Sequence, residues 1–237
     1  MLRWFDAARP VATVETLALA VGVPLSSAYR YVALLREVGL VMDDGQGNYH
    51  LSPEVIRLAR AAQAAFRLTA LARPAMERLR DQAGETVLLV RRVGDRAVCI
   101  ERAVSAQPVR LSFEVGAAFP LHRGAAPKLL LAHLPADERA AYLKHAAQTD
   151  PTLRGANGAL ARGLARIQRA GWAESRAEIT PDVWAVAAPV TQGDRVVAAL
   201  SIAGPVYRLN ARARVRLIVS TRQAAADITA RLSAVRI

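Results

Sequence analysis

The stretch that most constrains the fold is "VETLALAVGVPLSSAYRYVALLREVGLV", residues 14 to 41. It reads as two helices joined by a short turn around Gly22 and Pro24. Thr13 is placed as an N-cap for the first helix, Gly22 as its stop, and Pro24 just ahead of the second helix. In the second helix, Ala28, Tyr31 or Val32, Leu35 and Val38 recur at helical spacing. Its other side carries Ser26, Ser27, Tyr29, Arg30 and Arg36.

A further helix is expected over Leu2 to Ala8, stopping before Pro10. After the pair, "GLVMDD" and "NYHLS" flank the turn signal "GQG", which predicts two short strands. Helix, helix, helix, hairpin is the order of a winged helix-turn-helix. An ordinary three-helix bundle with capping serines explains the spacing and caps equally well. It explains less well the hairpin, with Gln46 and Asn48 at its tip. On the DNA-binding reading, Ser26 and Ser27 stand where hydroxyls and free N–H groups meet a phosphate. Tyr29 and Arg30 face away from the core and reach base edges when the helix lies in the major groove. Arginine can pair with guanine through two hydrogen bonds.

The net charge of +12 fits such a partner, but its distribution calls for care. Up to Ala70 there are seven Lys and Arg against six Asp and Glu, a balance of +1; from Leu71 on there are twenty-five against fourteen, +11. The excess lies outside the proposed DNA-binding segment, and scattered solvated arginines are an equally good account of it. The single Cys99 excludes an internal disulfide. His50, His122, His133 and His145 lie far apart with no Cys or carboxylate at ligand spacing, so no metal and no cofactor is expected. The opening "MLRWFDAARP" is too polar and short for a secretory signal, and no charge-free run is long enough to span a bilayer. The expected location is the cytoplasm.

From Ser52-Pro53-Glu54 a long helical run extends to Gly84, with Pro74 expected to kink or divide it. Beyond it, "ETVLLVRRV", "RAVCIERAV", "VRLSF", "VWAVAAPVTQ" and "RVVAALSIAGPV" are strand-like. "RGAAPKLLLAHL", "ADERAAYLKHAA", "GALARGLARIQRAGW" and the stretch from Asn210 are helix-like. Gly94-Asp95 and Gly193-Asp194 supply hairpin turns. This mixture predicts an α+β domain around a central sheet.

Four blocks together give the chain a resemblance to the IclR family of bacterial transcriptional regulators. They are "VGVPLSSAYRYVALLREVGLV", "PVRLSFEVGAAFPLHRGAAPKLLLA", "GWAESRAEITPDVWAVAAPV" and "VVAALSIAGP". Ser27 and Arg30 match the family's Ser/Thr and Arg of the recognition helix. The resemblance implies an α+β chain in three parts. A winged helix-turn-helix occupies residues 1–52, linker helices 53–83, and a GAF-like effector-binding domain 84–237. It also implies a dimer or tetramer, double-stranded operator DNA and a small organic effector as partners, and no membrane. Two departures stand out. Pro127 replaces the family's usual glycine before Lys128, which a first helical turn tolerates. Members also carry more residues before "RWFDAARP"; either the start codon is misassigned or part of a dimer contact is lacking here.

The resemblance further implies an effector site. Ala125 and Ala126 would offer backbone N–H groups to a carboxylate at a helix N-terminus. Ser175 and Ala185 match side-chain contacts in members that bind small oxo acids, and Ser201 and Ala203 match inward strand positions. Alanine replaces two polar contacts there, at Ala185 and Ala203, which favours a larger or more apolar acid. Glu178 is the acidic residue of the third block; an exposed strand carboxylate is an equal reading of it. Cys99 reads as a buried inert thiol, and His122 as a structural hydrogen-bonding residue rather than a general base. No Ser-His-Asp set or phosphate loop appears, so no enzyme activity is expected. The rivals are an α+β enzyme that turns over its ligand and a non-specific DNA-binding protein. In the regulator reading, the run from Pro53 to Gln82 transmits the signal.

Overall fold

A computed structural model describes residues 1–6, 8–65, 67–111, 113–153 and 157–234. The chain divides into two compact units, Met1–Phe66 and Arg67–Ile237. Among the described residues, no single helix is long and apolar enough to cross a membrane.

The first unit contains β1 (Val11–Thr13), α1 (Val14–Val21), α2 (Leu25–Glu37), β2 (Val41–Asp43), β3 (Asn48–Leu51) and α3 (Glu54–Ala65). The Thr13 side chain accepts the Thr16 N–H, and Gly22 ends α1 at φ +70°, a conformation that suits glycine. Val14, Leu17 and Ala18 of α1 pack on Ala28 and Val32 of α2, with Phe5 and Ala12 closing the core. The expected Val38 is 62% exposed and Tyr31 40% exposed, so the buried stripe of α2 is narrower than its apolar periodicity.

The N-terminal helix is shorter than expected: a single 3-10 turn covers Leu2–Trp4. The Asp6 carboxylate takes the N–H groups of Ala8 and Arg9, which replaces helical bonds with a local turn. The hairpin forms as expected, and β1 adds a third strand beside β3, giving the order β1-β3-β2.

The second unit opens with α4 (Arg67–Ala83), and Pro74 lies inside it. It continues with β4 (Thr86–Val93), β5 (Arg96–Ala103), β6 (Ala118–Pro120), α5 (Ala125–Ala132) and α6 (Ala136–Thr149). The rest is α7 (Asn157–Ala170), β7 (Ala173–Arg176), β8 (Val183–Gln192), β9 (Arg195–Pro205) and α8 (Ala211–Ala234). Six antiparallel strands form one sheet in the order β6-β5-β4-β9-β8-β7.

Alternation along these strands feeds two cores. Val87, Leu89, Leu200 and Ile202 join Met76, Leu79, Leu217 and Ile228, so α4 and α8 cover one face. Leu88, Val90 and Ala199 join Leu129, Leu131, Tyr142 and Ile167, so α5, α6 and α7 cover the other. Trp184 is buried, and its indole N–H donates to the Pro205 carbonyl at 2.9 Å.

"VRLSF" forms no strand over 109–111 or at Phe113; Ser112 lies outside the described residues. Side chains take the carbonyls that a strand would use. Arg208 donates to Val109 O, Thr86 to Leu111 O and Arg102 to Phe113 O. The partner of β5 is β6 instead, through Val98 opposite Ala118.

Candidate functional site

Two places gather the residues singled out by the sequence, one in each unit. In the first unit, Ser26 and Ser27 lie in the opening turn of α2, where a helix leaves N–H groups without intrahelical partners. Tyr29 and Arg30 follow on its exposed side. Tyr29 is not wholly free: its hydroxyl donates to Glu15 Oε1 at 3.2 Å, bridging α2 to α1. The Arg30 guanidinium rests 5.7 Å from the Tyr31 ring centroid, and Arg36 is held by Asp43 at 3.0 Å.

The hairpin tip separates the two residues expected there. Gln46 is exposed. Asn48 begins β3, and its amide donates to Asp44 Oδ2 at 2.8 Å. Asp44 also accepts the N–H groups of Gln46 and Asn48. These bonds, the Asn48 side chain first, hold its carboxyl below the usual range. The turn therefore carries a carboxylate that engages Asn48 and leaves the Gln46 side chain exposed.

In the second unit, a cavity lies between the sheet and the start of α5. All seven effector candidates line it: Ala125, Ala126, Ser175, Glu178, Ala185, Ser201 and Ala203. Sheet register explains the floor. Ser175 stands opposite Ala185, and Ala185 opposite Ala203, so three adjacent strands set these side chains in one row. Ser201 lies on the same face of β9, its hydroxyl donating to Val186 O at 3.0 Å. Leu88, Val90, Phe113, Phe119 and Val183 make the remaining wall largely apolar. The two phenylalanine rings meet edge to face, 5.9 Å between centroids. The empty space it holds, mouth included, is about 480 Å³.

The polar end is the N-terminus of α5. Among the described residues, the buried N–H groups of Ala125 and Ala126 meet no acceptor. Pro127 is accommodated in that first turn, where its missing N–H is no loss. The hydroxyl of Ser175, a residue 8% exposed, also has no partner among the described residues. Glu178 is not a strand carboxylate: it lies in the connection between β7 and β8, bonded to the Gly124 N–H at 2.9 Å and to Lys128 Nζ at 2.5 Å. This pairing joins residues far apart in sequence and was not foreseen.

Two neighbours serve structure. Both ring nitrogens of His122 are engaged, with Tyr142 Oη at 2.7 Å and Asp150 Oδ2 at 2.9 Å, which sets the chain entering α5. Cys99 is fully buried, and burial pushes its thiol up to about 11.

Comparison with known proteins agrees with this division. The IclR helix-turn-helix domain matches residues 1–45 and the bacterial transcriptional regulator IclR C-terminal domain matches residues 61–230. The HTH-type transcriptional regulator KipR of Bacillus subtilis is 31% identical over 203 residues, 83% of this chain and 80% of that protein. The HTH-type transcriptional repressor AllR of Klebsiella pneumoniae is 29% identical over 213 residues, 88% and 78% of the two chains. A crystal structure of an IclR-type regulator from a Silicibacter species superimposes with TM-score 0.84 at 25% identity, covering 98% of this chain and 93% of that one. An IclR homologue from Microbacterium hydrocarbonoxydans, complexed with 4-hydroxybenzoate, superimposes with TM-score 0.73 at 26% identity, covering 98% and 96%.

Proposed function

The chain belongs to the IclR family of transcriptional regulators, with a helix-turn-helix DNA-binding domain and an IclR effector domain, and from that premise we propose the chemistry of its effector and operator. The effector is a flat, mainly apolar organic acid of about benzoate size. The observation that carries this reading is the cavity itself. Unpaired N–H groups of Ala125 and Ala126 stand at one end, with Phe113 and Phe119 and the alanine floor along the rest. A helix N-terminus favours a carboxylate, and a mostly apolar slot favours a ring. The homologue complexed with 4-hydroxybenzoate supports the same class.

The N-terminal unit contacts a pseudo-palindromic operator as part of a homo-oligomer, since one small winged helix reads few bases. Ser26, Ser27, Tyr29, Arg30 and Gln46 supply the contacts. The helices of residues 53–83 connect the two functions. The ligand changes operator affinity by binding one arrangement better than another, a coupling of ~1–3 kcal/mol. Calorimetric titration with benzoate, 4-hydroxybenzoate and benzamide tests the effector class. The acids bind and the amide does not; binding of the amide alone would reject the carboxylate reading.

A further inference from the structure

Among the described residues that line the cavity, Glu178 is the only charged one. Its carboxylate already occupies part of the anion-binding end of α5, through the Gly124 N–H and Lys128. Arg123 Nε donates to the Glu178 carbonyl at 2.9 Å. These three bonds fasten the β7–β8 connection across the cavity mouth, where the exposed Ile179 and Thr180 also line it. The connection is bracketed by Ala177 at φ +54° and Asp182 at φ +57°, left-handed positions that side chains other than glycine rarely adopt. Gly124 closes the contact from the other side: a Cβ there would come within 2.5 Å of Ile179 Cδ1.

An acid entering this slot meets a carboxylate. The end of α5 offers roughly half a unit of positive charge and Lys128 one more. That compensates one carboxylate well and two poorly, since like charges at close range repel. The Ala125 and Ala126 N–H groups and the hydroxyl of Ser175, a residue 8% exposed, remain as donors for an incoming group.

We propose that Glu178 is an internal competitor for the effector's acid group. An effector carboxylate takes the end of α5 in exchange for Glu178, which leaves Gly124 and Lys128 and releases the 177–182 connection. Glu178 then sets both the affinity of the site for acids and the change of shape that an acid produces. The inference rests on the carboxylate-effector reading above.

Acetate is the probe, because it carries the acid group without a ring. Amide resonances of the full-length protein are followed by ¹⁵N NMR during an acetate titration of the wild type and Glu178→Gln. Ala125 and Ala126 should shift in both. In the wild type, Gly124 and Ile179 should move with the same acetate dependence. Glu178→Gln should bind acetate roughly tenfold more tightly, as expected if Glu178 holds about nine-tenths of molecules in the competing state. Equal or weaker binding by the variant overturns the proposal. So does a titration in which none of these amides shifts in either protein. If Glu178→Gln does not fold, the wild type decides alone: Gly124 unmoved while Ala125 and Ala126 saturate overturns the exchange. Failure of 4-hydroxybenzoate to bind while acetate displaces Glu178 would reject only the ring reading. Binding of 4-hydroxybenzoate with Gly124 unmoved would reject only the exchange.

Discussion

Ala185 of β8 and Ala203 of β9 stand directly opposite each other, and both line the cavity. Two methyl groups therefore lie side by side on the cavity floor. Ala203→Leu should fill the slot and abolish binding of 4-hydroxybenzoate while the unfolding midpoint stays near the wild-type value. If Ala203 instead only packs a closed core, leucine overpacks it and costs ~1–3 kcal/mol. Calorimetry and a thermal melt on the same variant separate the two. A stable variant that still binds normally would remove Ala203 from the site.

Cys99 should resist alkylation. Its buried thiol, pushed up to about 11, has little thiolate near pH 8. Iodoacetamide at that pH should label the protein only after denaturant is added. Rapid labelling of the native protein, read by mass spectrometry, would show that the sheet opens around it.

Acid should loosen the chain that enters α5. The Thr152 hydrogen bond, followed by that of His122, lowers the Asp150 carboxyl to about 2 from an ordinary 3.8. With the folded value depressed, the contribution is fully present above the unfolded value and is lost as pH falls through the folded one. Thermal midpoints should drop more steeply between about pH 5 and about pH 2 in the wild type than in Asp150→Asn. Parallel curves would mean that Asp150 contributes nothing to this region.

The same residues show what a sequence makes legible. Gly22 and Pro24 punctuate the two helices so firmly that α1 and α2 could be placed by inspection. Period-two alternation likewise put Ser201 and Ala203 on one face of β9, and Leu200 and Ile202 on the other. "VRLSF" obeys the same alternation and still forms no strand, because distant side chains capture its carbonyls. β1 escaped notice because three residues are too few to show a period. The role of Glu178 was hidden for another reason. Its partners, Gly124 and Lys128, lie 54 and 50 positions away, and only the sheet topology brings them together.

Arg30 lies on the exposed side of α2, stacked beside the Tyr31 ring, without an acidic partner among the described residues. Arg30→Ala should weaken operator binding by ~1–3 kcal/mol and relax sequence preference. Fluorescence anisotropy against operator and random DNA at one salt concentration reads both effects. Equal loss on the two DNAs would reduce Arg30 to a phosphate contact, and no loss would take it out of the interface.

Operator affinity with and without ligand tests most directly the proposed coupling between the DNA-reading helix and the organic-acid cavity. An operator selected from random duplexes would be titrated with wild-type protein, first alone and then with saturating 4-hydroxybenzoate. The predicted result is a change in Kd of about five- to 150-fold, in either direction. An acid that fills the cavity yet leaves operator affinity unchanged would contradict the account.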